Sequence, residues 1–154
     1  MIYRAQYGFP PTPKGFDDQM FHYSFDSTTV PALGVSLAAG AYSNDVTLQL
    51  QNDAEFILRG IKVQTQAGTT GSNLSMQIKD PFGNYLSAGP VDLSRYLRGS
   101  GLAVIGRLIV PFEAEIVCPI GGFFQLYFYN PTAGAITPPA LTFFGVKRFL
   151  ECAA

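Results

Sequence analysis

The chain has no tryptophan, one histidine and two cysteines, and each shortage excludes a class of chemistry. With His22 as the lone imidazole and Cys118 and Cys152 far apart, a zinc site of the usual ligand count cannot be assembled. A serine triad could form only around His22, and no Gly-x-Ser-x-Gly elbow presents a nucleophile. No phosphate-binding glycine loop precedes a helix, because Ile120-Gly121-Gly122-Phe123 reads as a strand-to-strand turn. No cofactor is expected.

Charge is also short. Ten Lys+Arg oppose eleven Asp+Glu, for a net charge of −1. That balance lacks the basic stripe needed to neutralise phosphates, so no direct nucleic-acid binding is expected. The longest apolar stretch, Leu102 to Phe112, is broken by Gly106 and Arg107 and falls far short of the ~20 residues of a membrane-crossing helix. The start, Met1 to Tyr7, lacks the basic and apolar regions of a secretory signal. The expectation is a protein made in a cytoplasm, off the membrane, with reduced thiols; a Cys118–Cys152 disulfide stays open.

What the chain has in excess is apolar surface. Hydrophobic residues make up 47% and charged residues only 14%, against the roughly 25% charged usual for soluble domains. Thirteen Phe and eight Tyr dominate that excess. A single domain of 154 residues has much surface to cover, so part of this material is expected to be buried against partners.

Along the chain, residues 1–19 read as an extended arm and residues 20–154 as one β-sandwich domain. Pro10, Pro11 and Pro13 remove donors and force extended geometry, while Tyr3, Tyr7, Phe9 and Phe16 give the arm an adhesive face. From Met20 the strand period takes over. Val46-Thr47-Leu48-Gln49-Leu50-Gln51 and Leu74-Ser75-Met76-Gln77-Ile78-Lys79 alternate without a fault, as half-buried strands do. Glu55 to Gln66 is a further strand, with Gly60 a bulge or bend. Asp80-Pro81-Phe82-Gly83-Asn84 is a turn in which proline presets φ and Gly or Asn accepts a positive one. Val91 to Arg98 reads as two helical turns or an irregular excursion. Strands resume at Ala103 to Val110, Ala114 to Cys118, Phe123 to Asn130 and Leu141 to Leu150.

About eight or nine short strands separated by turn signals favour an antiparallel sandwich of the jelly-roll kind. Phe123-Phe124-Gln125-Leu126-Tyr127-Phe128-Tyr129 is aromatic or aliphatic on both faces. Such a strand is either central and covered, or lays one face on another subunit, where Phe123, Tyr127 and Tyr129 would be the contacts.

Paired carboxylates exist at Asp17 with Asp18, Asp53 with Glu55, and Glu113 with Glu115. Glycosidases use two carboxylates flanking a sugar, but charged strand ends at a solvated rim explain these pairs more simply. No enzyme activity is expected. A carbohydrate-binding, receptor-recognition module is the stronger rival, weakened by the absence of tryptophan.

Four segments in order carry a resemblance. Asn52-Asp53-Ala54-Glu55-Phe56-Ile57-Leu58-Arg59-Gly60-Ile61 resembles the Asp-Ala-x-Phe-x-x-Arg strand of small tailed-phage virion structural proteins. Asp80-Pro81-Phe82-Gly83-Asn84-Tyr85-Leu86-Ser87 is similar to their Asp-Pro-x-Gly-x-x-Leu-Ser hairpin. Glu115 to Gly122 is similar to their Pro-x-Gly-Gly step, and Phe144-Gly145-Val146-Lys147-Arg148-Phe149 to their x-Gly-x-Lys-Arg-Phe ending. The likeness runs over roughly residues 45–150, and the aromatic strand Phe123 to Tyr129 departs from it. The resemblance implies a bacteriophage virion component with no catalytic residues. Its expected role is a capsid decoration (cement) protein, or a head–tail or tail accessory protein. The expected partners are the major capsid protein and the chain itself, as a homotrimer on the capsid surface assembled in the host cytoplasm. Repetition over a closed shell would multiply modest contacts.

Overall fold

In the computed structural model the described residues are 14–64, 73–93 and 110–150, with backbone only for 110–114. They form two four-stranded antiparallel sheets and almost no helix. The strands are β1 Phe16–Phe25, β2 Val46–Gln49, β3 Glu55–Gln64, β4 Ser75–Lys79, β5 Val91–Asp92, β6 Val110–Cys118, β7 Phe123–Tyr129 and β8 Ala140–Leu150. One sheet runs β1-β8-β3-β6 and the other β2-β7-β4-β5. Each strand of the first half therefore pairs with its counterpart counted back from the end: β1 with β8, β2 with β7, β3 with β6, and β4 with β5.

The alternating segments behave as their pattern requires. Val46 and Leu48 of β2, and Met76 and Ile78 of β4, point into the space between the sheets. So do Phe124, Leu126 and Phe128 of β7, facing Phe56, Leu58 and Phe143 of the first sheet. Phe143 of β8 bridges the layers, edge-on to Phe124 at 5.3 Å and near-perpendicular to Phe25 at 5.6 Å. Such edge-to-face pairs add about 0.5–1.5 kcal/mol each beyond area burial. β7 and β8 are both interior strands of their sheets, yet the outer-face residues of β7 stay exposed at Phe123 and half-buried at Gln125, Tyr127 and Tyr129.

Gly60 is where β3 changes register against both neighbours, between Leu58 and Gly60, so the expected bulge is present. The Asp80 turn also forms as expected. Its Oδ1 accepts from the Phe82 and Asn84 amides at 2.9 and 2.8 Å, and Gly83 takes φ +88°.

Other boundaries differ from expectation. β1 begins at Phe16, so pairing with β8 takes in Phe16 to Gln19, which the sequence assigns to the arm. The polar run Asp17-Asp18-Gln19 hides this strand, because an edge strand tolerates charge. β6 continues through Pro111, which sits opposite the Gly60 bulge on an edge strand, where a missing donor costs no ladder bond. Val91 and Asp92 pair with Met76 and Ser75 as a short strand instead of opening a helix. Residues 1–13, 94–109 and Cys152 lie outside the described residues. Among those described, no helix is long and apolar enough to cross a membrane.

Candidate functional site

The carboxylate pairs resolve first: Asp17 accepts from the Gln19 amide at 3.2 Å, and Asp18, Glu115 and Asp53 are each held by a cation. Asp18 accepts from Arg148 Nε and Nη2 at 2.8 and 2.9 Å, across the β1–β8 ladder. Glu115 meets Arg59 at 3.2 Å. Asp53 holds Lys147, whose side chain is buried between the Phe21 and Tyr23 rings. These partners neutralise the carboxylates within the fold, two across strand pairs and one between β8 and the β2–β3 loop. His22 is exposed on the outer face of β1, with its ring 5.8 Å from that of Phe144. Cys118 is a free thiol in the core, pushed up to about 11 by burial first and by nearby Glu55 second. A thiol so protonated is a packing group and a poor nucleophile at neutral pH.

Two surfaces remain. The first lies at the end of the sandwich where β1 starts and β8 stops. Phe16 and Leu150 face each other there across the ladder. The β6–β7 turn brings Ile120 and Phe123 to the same end, and the Asp80 turn after β4 brings Phe82. All five are exposed, Leu150 to 76% and Phe82 to 69%. Both sheets contribute, and the end of β2 with the β2–β3 loop ties them together. Gln49 Nε2 donates to the Gly121 and Gly122 carbonyls at 3.1 and 3.0 Å, and the Gln51 amide donates to Tyr23 Oη at 3.3 Å. This end is an apolar rim on a fixed scaffold.

The second surface is the outer face of the sheet centred on β7. Strand alternation sends Phe123, Gln125, Tyr127 and Tyr129 outward together. Tyr129 bridges to Tyr42 of the long β1–β2 loop, and the two rings stack at 4.5 Å. Tyr127 lies 6.0 Å from Tyr42 and donates its hydroxyl to Gln77 Oε1, while Gln77 Nε2 donates to the Ser87 carbonyl at 2.7 Å. Burial raises the Tyr127 phenol above its ordinary value of 10.0, with Tyr85, Tyr42 and Asp45 adding to the shift. On the far side, the Lys79 ammonium stands 5.0 Å over the Tyr85 ring. The face is a patch of oriented phenols.

Of the interface residues expected from sequence, Phe123, Tyr127 and Tyr129 share this face, and Phe16 lies at the apolar rim. Tyr3, Tyr7 and Phe9 lie outside the described residues. The sequence did not single out Tyr42, Tyr85, Ile120, Phe82 or Leu150. Each stands in or beside a loop, where no periodicity says which way a side chain points.

No protein-family model matches this chain, and no curated protein matches it at a significant level.

Proposed function

We propose that the protein is a structural component of a bacteriophage particle, a capsid decoration protein that binds capsid subunits and its own copies through the apolar rim. The observation that carries this reading is the gathering of Phe16, Leu150, Ile120, Phe123 and Phe82 at one end of the sandwich. Exposed apolar side chains scattered singly need no explanation, but a group on turns from two sheets is what a partner surface offers. The low charge of the chain supports the same reading. So does the strand order, which we take to be that of a jelly roll, the fold of many capsid and lectin domains. β1 starts at this same end, which suits an arm, residues 1–19 as read from the sequence, that reaches a neighbouring subunit. On a closed shell, contacts of this size gain strength by repetition.

The test combines mass and location. Purified protein is expected to sediment at about three times its 16.7 kDa chain mass, and Ile120→Asp with Phe82→Asp to sediment as a folded monomer. Labelled protein is expected on the outer surface of purified particles. Truncation through Pro13, which spares β1, is expected to weaken that attachment. A wild-type chain that stays monomeric at high concentration and joins no particle would overturn the proposal.

A further inference from the structure

Beside Tyr42, at the end of the sandwich opposite the apolar rim, lies a half-open cleft of about 270 Å³. Its walls come from the β1–β2 loop and the start of β2, among them Val35, Ser36, Tyr42, Ser43, Asn44 and Asp45. The cleft and the phenol patch are continuous, because Tyr42 belongs to both and Asp45 also acts on Tyr127. The β7 strand separates this region from Phe123 by about 20 Å at the usual strand rise. The cleft and the rim therefore lie at opposite ends of β7, with Phe123 at the rim end.

We propose that this cleft and the Tyr42–Tyr129 pair form a binding site for a neutral carbohydrate. Three features of the lining select that ligand class. The first is the aromatic wall. Tyr42 is 63% exposed and stacks on Tyr129, so the pair offers exposed aromatic area to the C–H face of a pyranose ring. The second is the rim, where Asp45, Asn44 and Ser36 are exposed beside the aromatic wall. A carboxylate accepts from two sugar hydroxyls at once, while an amide and a hydroxyl both donate and accept, as the mixed polarity of a sugar edge requires. The third is charge. Among the described residues the lining holds one carboxylate and no cation, which disfavours uronic, sialic and phosphorylated sugars and every nucleic acid. A cleft of this volume stands just below the roughly 300–1,000 Å³ of small-ligand sites, and its mixed floor of Ala32, Leu37 and Ala41 under polar Ser36, Asn44 and Asp45 is too small for a protein helix.

The site is also rigid before any ligand arrives. The Tyr42 loop is hydrogen-bonded to the end of β7 like an added strand. The Ser43 amide donates to the Phe128 carbonyl at 2.8 Å, the Asn130 amide to the Ala41 carbonyl at 3.0 Å, and the Gly40 amide to the Asn130 carbonyl at 2.8 Å. Ser43 Oγ accepts from the Phe128 amide at 2.8 Å and donates to the Asn44 carbonyl at 2.8 Å. Gln77 fixes the Tyr127 hydroxyl. An aromatic platform ordered in advance does not lose that freedom on binding.

The experiment titrates the full chain with linear neutral oligosaccharides of glucose, mannose and N-acetylglucosamine, and with a uronic-acid oligomer as the anionic control. The chain has no tryptophan, so ultraviolet emission reports tyrosine directly. A saturable emission change with at least one neutral oligosaccharide is expected. Tyr42→Ala and Asp45→Asn should each weaken it at least tenfold, with thermal midpoints kept because both side chains are exposed. Ile120→Asp, at the opposite end, should leave sugar affinity unchanged, so failure here and failure of the particle role are read separately. Three results would overturn the proposal: no saturable response to any neutral sugar, binding that survives Tyr42→Ala undiminished, or preference for the anionic control.

Discussion

Lys147 Nζ lies 2.7 Å from Asp53 Oδ2 and 2.9 Å from Oδ1, with the Phe21 ring centre 4.1 Å away and the Gln51 amide oxygen as a further acceptor. Lys147 is buried at the tip of β8, whereas Asp53 stands half in water on the β2–β3 loop. The pair closes the core at the apolar end and fixes the loop that joins the two sheets. Its two members are energetically unequal. Removing the carboxylate leaves a buried ammonium with only Gln51 and two ring faces. Replacing the lysine by methionine leaves an apolar chain among aromatic rings and a carboxylate that water can solvate. Asp53→Ala is therefore expected to lower the thermal midpoint more than Lys147→Met. Circular dichroism melts of both variants check this, and the reverse order would refute it.

The same pair sets a pH dependence. Lys147 holds the Asp53 carboxyl below its ordinary value of 3.8, chiefly by hydrogen bonding. A group whose pKa is lowered by folding contributes stability above its unfolded value and loses it as pH falls through the lower, folded one. The stability gap between wild type and Asp53→Asn should be constant near neutrality and shrink below pH 3.8. Asp26, also lowered by its Thr28 and Thr29 bonds, titrates in the same region but is present in both proteins and cancels. Urea midpoints from pH 7 down to pH 2 measure the gap; a gap that widens in acid would contradict the assignment.

Gly145 is required by close approach and not by φ. A Cβ there would stand 2.0 Å from the Ile57 carbonyl oxygen, which is backbone and cannot swing away. The contact falls beside the β3 bulge, where β3 and β8 change register. Gly145→Ala is expected to destabilise the fold at the upper end of the roughly 1–3 kcal/mol typical of overpacking. Gly89, with nothing near its Cβ position, should accept alanine with little change. Chemical denaturation of the two variants gives the comparison.

Much of this fold was legible in the chain because alternation reports burial directly. Val46 to Gln49, Ser75 to Lys79 and Phe123 to Tyr129 face the way their period requires, and Gly60 and Gly83 sit at the bulge and turn that need them. Alternation does not name the neighbour. Nothing local says that Phe16 lies opposite Leu150, or that Asp18 meets Arg148 from 130 positions away. The candidate sites were less legible for the same reason. Tyr127 and Tyr129 could be assigned to one face, but Tyr42 comes from a loop of Gly, Ala and Ser that carries no period. Its place on Tyr129 depends on the β7 ladder extending into the β1–β2 loop.

Cys118 should be silent to thiol reagents in the native protein. Its side chain is buried in the core against Pro119, and the raised pKa leaves almost no thiolate at neutral pH. In a Cys152→Ser background, iodoacetamide at pH 8 is expected to leave the folded protein unmodified and to label one site in denaturant. Mass spectrometry reads both; labelling of the native protein at the rate of a free cysteine would show that the core opens at this edge.

Asn130 is the residue through which the core controls the cleft. It is fully buried just after β7, and its Nδ2 donates to the Leu37, Ala38 and Gly134 carbonyls at 3.0, 3.2 and 2.8 Å. Its Oδ1 accepts from the Thr132 amide and hydroxyl at 3.0 and 2.7 Å. One amide thus joins the loop after β7 to Leu37 and Ala38, which line the cleft. Asn130→Leu keeps volume but strands several of these groups, at about 1–3 kcal/mol for each left unsatisfied. Stability should fall by an amount of that order. Sugar affinity should fall with it even though Asn130 itself touches no ligand, because Tyr42 and Asp45 are carried by the loop it anchors. Asn130→Asp retains an acceptor for Thr132 but removes the donor to three carbonyls, so it should resemble Asn130→Leu in affinity. A variant that loses stability yet binds oligosaccharide as tightly as wild type would show that the loop holds its shape without this anchor.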